Sequence, residues 1–196
     1  MKILIGCEES GRVREAFRRV GHDAWSCDLL PCTENPSKYH IQDDLIKTIK
    51  SQKWDMIVAF CPCTDLAISG ARYFPEKIAD GRQAKAIKFV EDVFFSDCPR
   101  VAIENPVGVL STKSKLGKAS QYVQPYWFGD KHRKKTGLWL KGLPKLTPTN
   151  MLDISTISDK ELNKLYLLAP SPTRALMRSK TPHGLAQAMA EQWGSL

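Results

Sequence analysis

The sequence predicts an α/β domain built on a doubly wound, mostly parallel sheet with helices on both faces. Strand-like and helix-like segments alternate through the first two thirds of the chain, which is the order of repeated βαβ units. The 196 residues are enough for one domain with a sizeable core and too few for two of full size. We therefore expect a single domain over residues 1–196.

The individual elements follow from hydrophobic periodicity. Short apolar runs predict strands at 2–4, 23–27, 40–45, 56–60, 100–103 and 137–140, of which 40–45 is the weakest. Amphipathic spacing predicts helices at 12–20, 78–95, 158–168 and 184–193. The third helix begins with a Ser-x-x-Glu capping box from Ser158 to Glu161. Three prolines, Pro170, Pro172 and Pro182, interrupt the chain between the last two helices.

Charge and composition indicate which kind of partner, cellular location and cysteine chemistry to expect. A net charge of +8 and a pI near 9.2 favour a polyanionic partner. The start of the chain is not signal-like and no apolar stretch reaches transmembrane length, so we expect a cytoplasmic protein without a membrane partner. Six scattered cysteines predict reduced thiols rather than a disulfide framework.

The turn from Gly6 to Gly11 lies between the first strand and the first helix, where doubly wound sheets bind nucleotide-like ligands. It is not a GxGxxG fingerprint. Its carboxylates, Glu8 and Glu9, repel phosphate but suit the amino-acid end of a sulfonium cofactor, so S-adenosylmethionine fits better than a dinucleotide. Asp28 and Asp44 end the second and third predicted strands, where carboxylates can bind ribose hydroxyls and an adenine amino group. An ordinary turn and solvated loop carboxylates are the alternatives.

A thiol and a carboxyl follow two further strands. Cys63 lies three residues after the apolar run 55–60, at a turn where nearby positive charge can lower the pKa of a thiol. Glu104 ends the run from residue 101 and is followed by Asn105 and the rigid Pro106, which can hold the carboxyl in place. This pair suits attack on C6 of a cytosine with proton donation to N3. The alternative for Cys61-Pro-Cys63 is metal binding, but the matching second pair of a structural zinc site is missing, so we predict no metal.

On these residues the chain resembles the DNA cytosine C5 methyltransferase family, in particular its short bacteriophage and prophage members. The family's Pro-Pro-Cys and Glu-Asn-Val correspond to Cys61-Pro62-Cys63 and Glu104-Asn105-Pro106. The resemblance implies a Rossmann-like methyltransferase fold and methyl transfer from S-adenosylmethionine to C5 of cytosine through a covalent Cys–C6 adduct. It also implies that Cys63 is the nucleophile and that Glu104 contacts N3.

The resemblance also assigns the rest of the site. The predicted cofactor residues are Gly6, Cys7, Glu8, Ser10, Gly11, Asp28, Leu29, Asp44, Cys61 and Pro62. The family's Gln-x-Arg-x-Arg segment falls on residues 132–136, where Thr136 replaces the last arginine. We predict that Lys134, with Arg133 or Lys135, replaces that cation near the base or phosphate. Thr136 and Asn105 are further predicted contacts of the substrate, and a solvated basic loop is the alternative for the segment.

The family's separate target-recognition domain has no full counterpart, since only residues 141–178 remain where it would stand. Such a segment can hardly read several base pairs, so specificity is expected to be low or delegated to a protein partner. The predicted substrate is duplex DNA with the target cytosine flipped out. A free cytosine nucleotide, single-stranded nucleic acid, and a catalytically silent nucleic-acid-binding protein are the alternatives. A phage or prophage origin in a bacterial cell is expected from the resemblance.

Overall fold

The computed structural model of the chain describes residues 1–169, 171 and 173–196. Their seven strands are Lys2–Gly6 (β1), Asp23–Asp28 (β2), His40–Gln42 (β3), Met56–Ala59 (β4), Val101–Pro106 (β5), Gln121–Val123 (β6) and Thr136–Lys141 (β7). They form one sheet in the order β3-β2-β1-β4-β5-β7-β6. The pairs from β3 to β5 are parallel, and β7 runs antiparallel to both β5 and β6. The predicted doubly wound, mostly parallel sheet is confirmed.

The helices within the described residues are Arg12–Arg19 (α1), Leu45–Ser51 (α2), Phe74–Ala79 (α3), Arg82–Phe94 (α4), Leu110–Lys113 (α5), Asp159–Leu162 (α6), Arg174–Ser179 (α7) and His183–Gly194 (α8). Helices α1 and α8 pack on one face of the sheet against Ile3 and Ile5. Helices α2 and α4 cover the other face, on which Leu4 lies. Successive strand residues point to opposite faces, so both faces of the parallel strands are apolar and buried.

Three predicted elements differ from the structure, each for a local reason. The helix at 78–95 is divided by Gly81, whose φ of 79° ends α3 before α4 begins. The third strand stops at Gln42 because Asp44 caps α2. The helix begun by Ser158 has only four residues, since the apolar residues 165–168 follow as an unbroken run without helical spacing. Pro170 and Pro172, expected to break the chain here, lie outside the described residues.

In the part of the chain that the structure describes, no helix is both long enough and apolar enough to cross a membrane.

Candidate active site

A cleft of about 850 Å³ lies at the carboxyl ends of β1, β2, β4 and β5. The order of the strands reverses between β1 and β4, and ligands of open α/β sheets bind outside the strand ends at such a switch point. The described residues of 165–181, which we call the cap, supply one wall of the cleft. Residues 60–70, which we call the cysteine loop, supply another. The volume is in the range of sites that hold small molecules.

The cysteine loop is fixed to β5 and to the segment that follows it. The side-chain amide of Asn105 donates to the carbonyl oxygen of Cys61 over 2.9 Å. The amide of Ile68 donates to the Val107 carbonyl, and the amide of Val109 donates to the Leu66 carbonyl, both over 3.0 Å. These bonds give Cys63 a defined place at the end of β4. Asn105, predicted as a substrate contact, is fully buried behind the loop and holds the backbone of Cys61 in the structure.

A buried lysine holds the loop from its other side. Lys77 is only 6% exposed, its ammonium donates to the carbonyl oxygen of Thr64, and it lies 3.3 Å from the carboxylate of Asp65. Gln83 on α4 donates to the Asp65 carbonyl over 3.2 Å. Sequence reasoning missed Lys77, because a lysine on a short helix gives no sign that it is buried.

Gly108 leaves no space for a side chain against the cysteine loop. A Cβ at residue 108 would overlap the carbonyl oxygen of Leu66. We expect Gly108→Ala to separate the two segments and lower the free energy of unfolding by about 1–3 kcal/mol. It should also make the loop more sensitive to limited proteolysis. Gly70→Ala is the matched control, since a Cβ there meets Lys77 Nζ at an ordinary 3.5 Å. Equal stability of both variants would contradict the tight approach.

Cys63 is half-buried in the cleft, and its thiol pKa is raised. Burial raises the pKa most, and the negative charge of Glu104 adds to it, while the charges of Lys134 and Arg178 oppose the shift. The sequence-based expectation of a lowered pKa is therefore not met in the free protein. A thiolate at Cys63 would be stabilised by the charges of Lys134 and Arg178.

Glu104 is held at the side of the cleft by the strand next to it. Its carboxylate accepts a hydrogen bond from the hydroxyl of Thr136 over 2.8 Å, and Lys134 Nζ lies 3.9 Å from the same oxygen. Both Glu104 and Thr136 are buried, at 8% and 2% exposure. In the free protein the Thr136 hydroxyl donates to Glu104, so the predicted hydrogen bond to the base would compete with this contact. Lys134 thus lies beside Glu104, one of the two residues predicted to react.

The other two basic residues predicted to contact substrate, Lys135 and Arg133, lie in different places. Lys135 lines the cleft, with its Nζ 4.9 Å from the centre of the Tyr122 ring. Arg133 does not line it and lies 3.7 Å from Asp159. The prediction that Arg133 contacts substrate is therefore not matched by its position in the structure.

The turn after β1 forms the opposite end of the cleft. Cys7, Glu8 and Ser10 line it, and Cys7 has a φ of 54°, which residues with a side chain rarely adopt. A hydrogen bond to Cys61 and burial raise the pKa of the Cys7 thiol. Asp28 lines the cleft at the end of β2 and accepts a hydrogen bond from the amide of Leu30 over 2.9 Å. Cys61 and Pro62 also face this space.

Four predicted cofactor residues have other positions. Asp44 caps α2 by accepting from the Lys47 amide over 2.8 Å and does not line the cleft. Leu29 is 71% exposed and lies outside the cleft lining. Gly6 and Gly11 shape the turn, since a Cβ would press on Leu45 at the first and on Arg14 at the second.

All six cysteines lie at described positions and are free thiols.

Glu8 has a pKa raised to about 7 because burial disfavours its charged form. Its carboxylate accepts from the amides of Val13 (2.5 Å) and Arg14 (3.2 Å) at the start of α1. Since the ordinary value is 4.5, the unfolded chain releases this proton first. The contribution of Glu8 to stability is complete below pH 4.5 and is lost as the pH rises to about 7.

We therefore expect wild-type protein to lose up to about 3 kcal/mol of unfolding free energy across this window through Glu8. Glu8→Gln should lack that part of the decline. Urea unfolding at pH 5, 6, 7 and 8 measures it, with the more exposed Glu15→Gln as control. Parallel pH profiles for wild type and Glu8→Gln would contradict the raised pKa.

Comparison with solved structures shows the fold family. One similar structure is an Escherichia coli protein assigned as a DNA modification methyltransferase encoded within a prophage, with a TM-score of 0.51 and 14% identity. Another is the methyltransferase EhMeth of Entamoeba histolytica, with a TM-score of 0.50 and 16% identity. This chain has the methyltransferase fold. No family model matches its sequence, and no curated protein does.

The alignments cover 86% and 87% of this chain but only 55% and 63% of those two chains. The chain thus spans little more than half the length of the first of them. What it shares with them at this identity is the methyltransferase fold.

Charge is divided along the cleft of this methyltransferase fold. Its end at β1 and β2 carries the carboxylates of Glu8, Glu9 and Asp28. Its end at β5 and β7 carries Lys134 and Lys135 beside Glu104, and the cap adds Arg178 and Lys180, of which Lys180 lies 3.0 Å from the carboxylate of Glu34. Sequence reasoning missed Arg178, because a single arginine in an irregular segment gives no positional signal. The acidic end fits the ammonium, sulfonium and ribose hydroxyl groups of S-adenosylmethionine, and the basic end fits a phosphate-bearing substrate.

Metal-binding chemistry was the alternative for the cysteine loop. Over residues 1–169, 171 and 173–196, no group of three or more His, Cys, Asp or Glu side chains is arranged to hold a metal ion.

Proposed function

We propose that the protein transfers a methyl group from S-adenosylmethionine to C5 of cytosine in DNA through a covalent bond between Cys63 and C6. The observation that carries this proposal is the placement of Cys63 and Glu104 at the ends of neighbouring strands, facing one cleft that continues to Asp28. The methyltransferase fold of the chain and the acidic character of the far end support the cofactor. The basic segment at residues 131–135 supports a substrate that carries phosphate.

Cys63 and Glu104 act on the same ring. Cys63 Sγ adds to C6, and N3 takes up a proton from Glu104, so that the electron pair of the C5–C6 double bond becomes available at C5. The bound S-adenosylmethionine supplies a methyl group attached to positively charged sulfur, and C5 takes it as the carbon–sulfur bond breaks. The C5 proton then passes to solvent, N3 returns its proton to Glu104, and the electron pair left at C5 expels Cys63 as the thiolate, which restores the aromatic ring.

The residues around Cys63 and Glu104 hold these two groups in place and bring positive charge to them. Thr136 holds the Glu104 carboxyl, Asn105 holds the backbone next to Cys63, and Lys134 brings positive charge to both. Arg178 brings positive charge to the thiol from the cap. Asp28, at the end of β2, would accept hydrogen bonds from the ribose hydroxyls of the cofactor.

The test is a trapped complex. The purified protein is incubated with S-adenosylmethionine carrying a labelled methyl group and with DNA containing 5-fluorodeoxycytidine. We expect a complex that resists denaturation and carries the label, because fluorine at C5 cannot leave as a proton does. Peptide mapping should place the DNA on Cys63. Cys98→Ser, which removes a buried thiol outside the cleft lining, should leave the yield unchanged. Cofactor binding without a complex would overturn the proposal.

A further inference from the structure

The cap places an exposed aromatic ring and a guanidinium together on the reaction cleft. Tyr166 is 49% exposed, and Cζ of Arg178 lies 5.6 Å from the centre of its ring. Both side chains line the cleft that contains Cys63. The side chain of Arg174 donates to the carbonyl oxygen of Tyr166 over 3.3 Å and so joins α7 to the segment after α6. The ring is therefore held at the cleft while its surface stays open to a ligand.

Two segments rich in positive charge line the same cleft as this ring. Residues 158–181 contain five basic and two acidic residues, and residues 131–135 contain four Lys or Arg and no acidic residue. Within these segments Arg178 faces the cleft from the cap, and Lys134 and Lys135 face it from the start of β7. An exposed aromatic ring in a cleft lined by cations is an arrangement that single-stranded nucleic acids bind, with bases stacking on rings and phosphates contacting the cations.

The size of the cap fits a single strand better than a duplex. Between β7 and α8 the described residues contain helices of four and six residues, α6 and α7. A six-residue helix is about 9 Å long, which is too short to read along a major groove. The cap and residues Ala67 to Gly70 of the cysteine loop line the same cleft as Cys63, so a base that reaches Cys63 enters the space that both segments line. A flexible unpaired strand can follow such a path directly.

We propose that the cap binds single-stranded DNA, with Tyr166 stacked on a base beside the target and Arg178 and Lys135 on the adjoining phosphates. The identity of the target base rests on the proposed function. Binding of the strand itself does not require methyl transfer.

Fluorescence anisotropy with a labelled oligonucleotide of about twelve nucleotides, single-stranded or annealed to its complement, tests the proposal. We expect the single strand to bind at least about tenfold more tightly than the duplex. Tyr166→Ala should weaken binding of the single strand by about tenfold, and Tyr166→Phe should retain it, because stacking needs the ring and not the hydroxyl. Arg178→Ala should reduce the slope of log K against log salt by about 0.7, as expected for one lost phosphate contact.

A second arginine–tyrosine pair provides the matched control. Tyr73 is 46% exposed, Cζ of Arg72 lies 4.5 Å from its ring centre, and neither residue lines the cleft. Tyr73→Ala should leave binding of the single strand unchanged. Three results would each overturn the cap proposal: duplex binding as tight as single-strand binding, equal effects of Tyr166→Ala and Tyr73→Ala, or free dCMP competing as well as the oligonucleotide.

The trapped complex separates this proposal from the proposed function. Strand binding that depends on Tyr166, without any covalent complex on 5-fluorocytosine substrates, would uphold the cap and overturn methyl transfer through Cys63. A complex that forms only with duplex, at a rate unaffected by Tyr166→Ala, would uphold methyl transfer and overturn the cap.

Discussion

Cys63→Ser should abolish the covalent complex with 5-fluorocytosine DNA and lower methyl transfer on the order of 10⁴-fold or more. A serine hydroxyl is far less acidic and less nucleophilic than a thiol, and the cleft already works against ionisation, since burial raises the pKa of Cys63. The cations that oppose this shift, Lys134 and Arg178, cannot ionise an alcohol to a useful extent. Complex yield and the initial rate of label transfer to DNA measure the effect.

Two comparisons separate a chemical role of Cys63 from a structural one. S-adenosylmethionine binding, measured by calorimetry, should stay within about twofold of wild type, because the end of the cleft proposed for the cofactor is lined by the turn after β1 and by Asp28. Cys98→Ser should retain full activity. Methyl transfer by Cys63→Ser at a tenth of the wild-type rate or more would show that the reaction needs no thiol adduct.

The strands and the two reacting groups could be predicted because both depend on local sequence. A short apolar run buried on both faces identifies a strand of a parallel sheet, and a polar residue directly after it must lie at the edge of that sheet. Cys63 lies four residues after β4, Glu104 lies one residue beyond the last β4–β5 pair, and the two strands are neighbours, so both side chains lie at the carboxyl edge of the parallel part of the sheet. The same reasoning placed Asp28 at the end of β2, and the structure has it on the cleft.

The supporting contacts could not be predicted because they depend on strand order and on irregular chain. Thr136 meets Glu104 only because β7 inserts between β5 and β6, which pairs Thr136 with Pro106. The described part of the cap has one short helix, α7, and its sequence has no periodic pattern that would place Tyr166 or Arg178. Asp44 shows the limit of this reasoning. Its place at the end of a predicted strand suggested a ligand contact, whereas in the structure its carboxylate caps the start of α2.

Glu104→Gln should lower the rate of complex formation by about 10²- to 10⁴-fold, the range that a positioned general acid contributes. Glutamine keeps the shape and can still accept the hydrogen bond from Thr136, but it cannot deliver a proton to N3. Addition of the thiol to C6 would then place electron density on a ring that has no means to hold it. Single-turnover rates with saturating cofactor measure the effect without a contribution from product release.

Variants of Thr136 separate two contributions of Glu104, namely delivery of a proton to N3 and the fixed position of its carboxyl group. Thr136→Val removes the 2.8 Å hydrogen bond while keeping the shape of the side chain, and we expect an intermediate loss of about tenfold. Thr136→Ser retains the hydroxyl and should recover most of the wild-type rate. If Glu104→Gln lost no more than Thr136→Val, the carboxyl would act only by hydrogen bonding, and the proton for N3 would have to come from another group. Lys134, 3.9 Å from the Glu104 carboxylate, is the cation in place to supply it, and Lys134→Met would then show the larger loss.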